Sequence, residues 1–294
     1  MLRIVDAYGP DRFGLSFELF PPKTEKGERA LFRHVEELAK FNPSFITCTY
    51  GAGGSTRDKT LDVVQQVHAR FGCAVASHLT CVAATTGQLR DYLQETRRRG
   101  IGNIVALRGD PPRGESAFKP VEGGLRFANE LVELIRREFP EFGIAVAGYP
   151  ETHQEAENPQ SDLENLQRKV DAGADAVITQ LFYDNANFFD FRDRCEKLGI
   201  DVPIVPGLLP VTNLAQIQRI TSLCGAQLPP DFIAQLTDCA DDESGQFEVG
   251  VEFAIRQTQE LLDAGVAGIH FYVLNKSQST THVLRNVTIP SSAH

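Results

Sequence analysis

"LENLQRKVDAGADAVITQLFYD", residues 163–184, changes period halfway along, and that change decides the fold. In its first half Leu163, Leu166 and Val170 recur three and four residues apart, which places them on one face of an amphipathic helix. The second half, Ala176 to Phe182, is a short apolar run of the kind that forms a strand buried on both faces. Gly173 stands between them, where a helix C-terminus takes a left-handed residue before the chain turns back. Helix, glycine and buried strand predict a parallel sheet with crossover helices.

The same punctuation recurs in "RRRGIGNIV" (97–105) and "LDAGVAGIH" (262–270). Eight strands are expected: Leu15 to Phe20, Phe45 to Thr49, Ala74 to Leu79, Asn103 to Arg108, Ile144 to Tyr149, Ala176 to Phe182, Val202 to Pro206 and Gly268 to Tyr272. Amphipathic segments lie between them, such as Glu28 to Lys40 with Leu31, Val35 and Leu38 on one face. Alternation of this kind predicts an α/β protein, a (β/α)8 TIM barrel formed as a single domain over residues 1–294. The spacing breaks at 207–267, where an elaborated crossover between strands seven and eight is expected, with more than one helix and the loop "CADDESGQF".

Composition narrows the function. With 42% hydrophobic and 23% charged residues, the chain has the balance of a folded globule. Its net charge of −10 repels phosphate backbones and anionic lipid, which argues against nucleic acid as a partner. The basic run Arg97 to Arg99 precedes Gly100, where cations complement a helix C-terminus. None of the six cysteines forms a CxxC pair, as suits a reducing cytoplasm. No secretory core follows Met1 and no apolar stretch is long enough to span a bilayer, so a cytoplasmic protein without membrane contact is expected. The seven histidines show neither HxH nor HExxH spacing, and no metal site is predicted.

In a (β/α)8 barrel the working groups sit where strands end. The first strand ends in "SFELFPPK": Glu18 lies among Phe17, Leu19 and Phe20, so desolvation is expected to raise its pKa and let it act as an acid. A carboxylate paired with a cation such as Lys23 is the competing reading. The fourth strand ends in "IVALRGDPP", which sets Arg108 and Asp110 on one side of an extended chain, either as a ligand-facing pair or as a structural ion pair. In "AVITQLFYD", Gln180 shares parity with Ile178 and Phe182, an amide beside rings that suits a flat heterocycle. Thr49, the Gly51–Gly54 loop and His78 end the second and third strands; the loop matches no phosphate-binding pattern. "VAGYPETHQEA" supplies Tyr149 and His153, and Asp162, Asn165 and Lys169 form a polar helix stripe whose simplest reading is a solvated face.

Taken in order, "FELFPPK", "TYGAGG", "HLTC", "ALRGDPP", "AGYPETH", "RKVDAGADAVITQLFYD", "PGLLPVTN" and "HFYVLN" resemble the methylenetetrahydrofolate reductase family across nearly the whole chain. The resemblance implies a (β/α)8 barrel of the bacterial type that binds FAD noncovalently and takes hydride from NADH or NADPH. Methylene- would be reduced to methyl-tetrahydrofolate in two half-reactions at one site, a step of one-carbon metabolism and methionine biosynthesis. Glu18 would be the general acid, Asp110 would contact the pterin and influence the flavin, and Gln180 and Gln216 would bind substrate. FAD contacts would fall on Thr49, His78, Leu107, Arg108, Asp110, Ala147, Tyr149, His153, Asp162 and Lys169. Ile220 stands where some relatives place an aromatic residue that stacks on substrate, and the bacterial-type relatives are homo-oligomers. A flavin barrel with another acceptor, similar to proline dehydrogenase, and a flavin-free folate-binding barrel are the competing readings; flavin absorbance and reoxidation by the folate separate them.

Overall fold

The computed structural model describes residues 2–9, 11–50, 57–111, 114 and 118–290. Among them nine strands form one sheet: β1 (Gly14–Leu19), β2 (Phe45–Cys48), β3 (Ala74–Thr80), β4 (Asn103–Leu107), β5 (Gly143–Gly148), β6 (Ala176–Thr179), β7 (Ile204–Val205), β8 (Gly207–Leu208) and β9 (Gly268–Tyr272). Their order is β7-β6-β5-β4-β3-β2-β1-β9-β8, and every pair is parallel. The outer helices are α1 (Glu25–Ala39), α2 (Arg57–Phe71), α3 (Thr86–Arg98), α4 (Ala128–Glu138), α5 (Pro159–Asp171) and α6 (Asn185–Lys197). The fold is the expected (β/α)8 TIM barrel.

Proline accounts for the ninth strand. Residues 204–208 occupy one strand position, but Pro206 has no N–H for the ladder and divides it in two. Before the proline, β7 pairs with β6; after it, β8 pairs with β9. His270 N donates to the Pro206 carbonyl (3.0 Å) and Gly207 N to Thr179 Oγ1 (2.9 Å), so the backbone is bonded on both sides and the barrel closes. Only glycine fits at 207, since a Cβ there would stand 2.2 Å from the Thr179 carbonyl oxygen.

The crossover after β8 holds three helices: α7 (Leu214–Cys224), α8 (Pro230–Asp238) and α9 (Glu243–Asp263). The expected loop "CADDESGQF" is helical from Glu243 onward, because Asp242 caps the helix by accepting from Ser244 N at 3.0 Å. Gly100, Gly173 and Gly265 take the positive φ angles expected of helix ends, +73, +111 and +69. A last helix, α10 (Gln278–Arg285), follows β9.

Two apolar layers flank the sheet. Outside, residues such as Leu15, Phe17 and Leu19 of β1 pack against the helices. Inside, Phe45, Ala76, Val105, Ala145, Ile178 and Val205 meet Ile4, Ala7 and Tyr8 of an N-terminal plug whose 3-10 helix spans Ile4–Ala7. Asn103 pins that plug: its Oδ1 accepts from Ile4 N (2.7 Å), and its Nδ2 donates to the Leu2 carbonyl (3.1 Å). The amino-terminal end of the barrel is thereby filled, which leaves the carboxyl-terminal mouth for ligands. No described helix is long and apolar enough to cross a membrane.

Candidate active site

Glu18 lies inside the barrel near the end of β1, 8% exposed, on the face opposite Phe17 and Leu19. Parallel register places Ser16 beside His270 and Glu18 beside Tyr272, while β3 brings in His78 two strands away. Two imidazoles converge on a single carboxylate oxygen: His78 Nε2 is 3.3 Å and His270 Nε2 3.7 Å from Glu18 Oε2. His270 Nδ1 in turn lies 2.8 Å from Ser16 Oγ.

Electrostatics corrects the expectation for Glu18. Burial does push its carboxyl up, but His78 and then His270 outweigh burial and hold it below the ordinary carboxylate range. Lys23, the competing cation, is not the partner. His78 is itself held below the usual histidine range by burial, opposed by Glu18 and reinforced by His270. Its Nδ1 is buried with no hydrogen-bond partner among the described residues, as is Thr47 Oγ1. No group of three or more His, Cys, Asp or Glu is arranged to hold a metal ion among the described residues. The cluster is built to share protons.

Around the mouth, Arg108 follows β4 and forms a bidentate pair with Glu155, Nη1 to Oε2 at 2.6 Å and Nη2 to Oε1 at 2.8 Å. Tyr149 and His153, past the end of β5, meet edge to face with ring centres 4.6 Å apart. Asp162 Oδ2 accepts from His153 N at 3.0 Å. Lys169 Nζ donates to the Ala147 carbonyl at 2.5 Å and lies 5.9 Å from the Tyr149 ring centre. Burial pushes the Lys169 ammonium down to about 8, against the opposing charge of Asp162. Of the polar helix stripe, Asp162 and Lys169 thus face the mouth, whereas Asn165 is exposed and bonded to Arg168.

Two parity arguments do not survive the structure. β4 ends at Leu107 and Gly109 is left-handed (φ +87), so Arg108 is half-buried while Asp110 is exposed, and no extended chain aligns them. β6 ends at Thr179; Gln180 stays half-buried at the mouth, but Phe182 turns into the outer core and stacks on Phe188. Gln180 Oε1 accepts from Leu181 N at 2.9 Å.

Leu107 packs against the inner apolar layer, and Thr49 is half-buried just past β2. The Gly51–Gly54 loop lies outside the described residues. A cavity of about 350 Å³ opens between the loops after β8 and β9, lined in part by Gln216, Ile220, Tyr272 and Lys276. Tyr272 joins it to the interior, where its ring meets His270 edge to face at 5.1 Å. The rim here is held by Asn275, which clamps Phe20 by accepting from its N and donating to its O, each at 2.8 Å.

Sequence reading missed Ser16, His270, Tyr272 and Glu155. The signal for two of them was present: in "GIHFY" His270 and Tyr272 share the two-residue parity of one strand face.

Fold and mouth together define the chain as a (β/α)8 barrel protein with a small-molecule site that carries a buried carboxyl and two imidazoles. The sequence model described as methylenetetrahydrofolate reductase matches residues 3–288, and the chain belongs to that family. It is 41% identical to the 5,10-methylenetetrahydrofolate reductase of Escherichia coli (strain K12), over 91% of this chain and 88% of that protein. With methylenetetrahydrofolate reductase (NADH) 1 of Zea mays it shares 39% identity over 97% of its own length but 50% of the relative's, so it spans about half of that plant protein. A structure of an uncharacterized protein from Clostridium thermocellum that binds two copies of 5-methyl-5,6,7,8-tetrahydrofolic acid superposes with TM-score 0.61 at 15% identity, over 93% of this chain and 94% of that one; the likeness is one of fold.

Proposed function

We propose that this chain reduces 5,10-methylenetetrahydrofolate to 5-methyltetrahydrofolate, with NADH or NADPH as hydride donor and noncovalent FAD, in a ping-pong sequence through one site. The observation that carries this reading is the buried Glu18 carboxyl, set with two imidazoles beneath a mouth lined by Arg108 and Lys169. Family membership supplies the substrate class. The work is that of a single catalytic barrel, cytoplasmic and homo-oligomeric.

The residues present fit a flavin dinucleotide. The buried Nδ1 of His78 lacks a partner among the described residues, and two cations stand at the mouth of a protein whose net charge is −10. Thr49, His78, Leu107, Arg108, Asp110, Ala147, Tyr149, His153, Asp162 and Lys169 would hold it. When bound, FAD supplies the hydride carrier that links nicotinamide to folate.

The protein's own residues handle the proton. Glu18 delivers it to N10 of the folate: the carboxyl O–H breaks, N10–H forms, and the bond from N10 to the bridging methylene breaks with its electron pair left on N10. The five-membered ring opens and the methylene remains on N5 as an iminium ready for hydride. Gln180 and Gln216 orient the substrate, and Asp110 contacts the pterin while opposing negative charge nearby. Ile220 in the cavity wall gives the substrate an aliphatic surface in place of a ring.

An anaerobic stopped-flow record tests the reading: NADH or NADPH bleaches the flavin spectrum, and methylenetetrahydrofolate restores it. Protein that purifies without flavin, or reduced flavin that the folate does not reoxidise, overturns it. The Glu18→Gln variant is expected to keep FAD binding and nicotinamide oxidation by an artificial acceptor, while folate reduction falls by roughly 10²- to 10⁴-fold. Unchanged folate turnover removes Glu18 from the mechanism.

A further inference from the structure

We propose that His270, held by Ser16, is the positioning residue that keeps a proton available to Glu18. The inference rests on the assignment of Glu18 as the acid and goes beyond it, because the acid spends one proton on each folate and sits where bulk water does not readily replace it: Glu18 is 8% and His270 1% exposed.

Hydrogen-bond satisfaction decides which imidazole carries the charge. An imidazolium is a donor at both ring nitrogens, and a buried N–H without an acceptor is costly. His270 has an acceptor on each side, Ser16 Oγ at 2.8 Å from Nδ1 and Glu18 Oε2 at 3.7 Å from Nε2, the latter within ion-pair reach. Among the described residues His78 has only Glu18, and its buried Nδ1 has no partner, which leaves that nitrogen as an acceptor for a donor of the bound dinucleotide and the ring uncharged. Charge therefore rests on His270, while His78 stays neutral, in line with its lowered pKa.

Among the described residues, the groups facing this pair are Ser16 on β1, His78 on β3 and Tyr272 on β9, with the Tyr8 phenol of the plug beside Ser16 and the Cys48 thiol in electrostatic reach of Glu18. None of these is a permanent cation, so the local positive charge is the second ring proton of His270, held in addition to the proton on Glu18. The transfer is balanced. After Glu18 has given its proton to N10, the Nε2–H bond of His270 breaks and a Glu18 O–H bond forms, leaving a neutral imidazole and a neutral carboxyl. Between turnovers, with the folate gone, water reprotonates the pair through Glu18, the more exposed of the two.

Register makes the arrangement possible. Ser16 and His270 are paired residues of adjacent parallel strands, both pointing inward, and Glu18 lies two residues further along on the same face.

The test uses the holoenzyme with ¹⁵N-labelled histidine, its His270 signals assigned by comparison with His270→Gln. In the wild type, the His270 ring is expected to show both nitrogens protonated, and in Glu18→Gln the Nε2 proton to be lost. Ser16→Ala removes the Nδ1 acceptor, so the basic limb of the folate half-reaction should move down by about one pH unit, with the nicotinamide half-reaction unmoved. His270→Gln should slow the folate half-reaction at least tenfold; if that variant does not fold, Ser16→Ala decides the matter. A His270 ring that stays neutral from pH 5.5 to 8.5, or a basic limb unmoved in Ser16→Ala, overturns the proposal. Unchanged folate turnover in Glu18→Gln is a different failure, that of the acid assignment itself.

Discussion

The phenol of Tyr272 donates to the Thr179 carbonyl at 2.7 Å, tying β9 directly to β6 across the short strand position that closes the barrel. Gly207 lies between them, where a Cβ would stand 2.2 Å from the Thr179 oxygen and 2.7 Å from the Tyr272 ring. Closure and site geometry therefore depend on the same three residues, because the Tyr272 ring also walls the cavity that holds Gln216.

Gly207→Ala is expected to destabilise the fold by roughly 1–3 kcal/mol through overpacking against backbone. Tyr272→Phe should cost about 1 kcal/mol for the lost hydrogen bond. The two changes share a neighbour, so their effects in urea unfolding should not add. Simple additivity would show that residue 207 and the phenol do not compete for the same space.

Arg108 is not idle without ligand, since the Glu155 carboxylate occupies its guanidinium with two parallel bonds. An anionic coenzyme must displace that carboxylate or share the cation with it. Glu155→Gln removes the competing charge and should tighten FAD binding several-fold, about 1 kcal/mol on the scale of partly exposed ion pairs. Arg108→Met should weaken it and flatten its salt dependence. Calorimetric titration of the apoprotein with FAD measures both; weaker binding in Glu155→Gln would mean that the carboxylate instead orients Arg108 for the ligand.

Lys169 carries a pH signature. Its ammonium is lowered from 10.5 to about 8 by burial, so between these values the unfolded chain holds a proton that the folded chain has released. Stability from this residue therefore rises with pH across that window and is lowest below pH 8, where the buried charge is present. Lys169→Met is expected to raise the melting temperature at pH 7, with a gain that shrinks toward pH 10.5. Binding of an anionic ligand runs the other way: the cation is lost as pH passes 8, so wild-type affinity for FAD should fall by roughly tenfold between pH 7 and 9, and that of Lys169→Met should not. Parallel pH profiles for the two proteins would place Lys169 away from the ligand.

The strand ends show how far a sequence reading reaches. It placed the sixth strand and the helix before it correctly in kind, but carried the strand on to Phe182, whereas the ladder stops at Thr179. The run stays apolar past that point because Leu181 and Tyr183 pack with Leu209, Val211 and Phe232 of the crossover. An apolar run reports burial and not hydrogen bonding. The Arg108 and Asp110 alignment failed for a related reason, since parity holds only while the backbone stays extended and Gly109 bends it.

Local chemistry alone therefore determined the alternation of helix and strand, the glycine helix ends, the position of the crossover and the strand tips that carry Glu18, Gln180 and Arg108. These features are written in period, capping and turn residues, each of which acts over a few neighbours along the chain. Tertiary structure decided the rest: that Pro206 splits a strand yet leaves the barrel closed, that Glu155 faces Arg108, and that Ser16, His78 and His270 gather on Glu18. Residues 16 and 270 meet only because parallel register across the β1–β9 seam sets them side by side, and register is fixed by packing of the whole sheet.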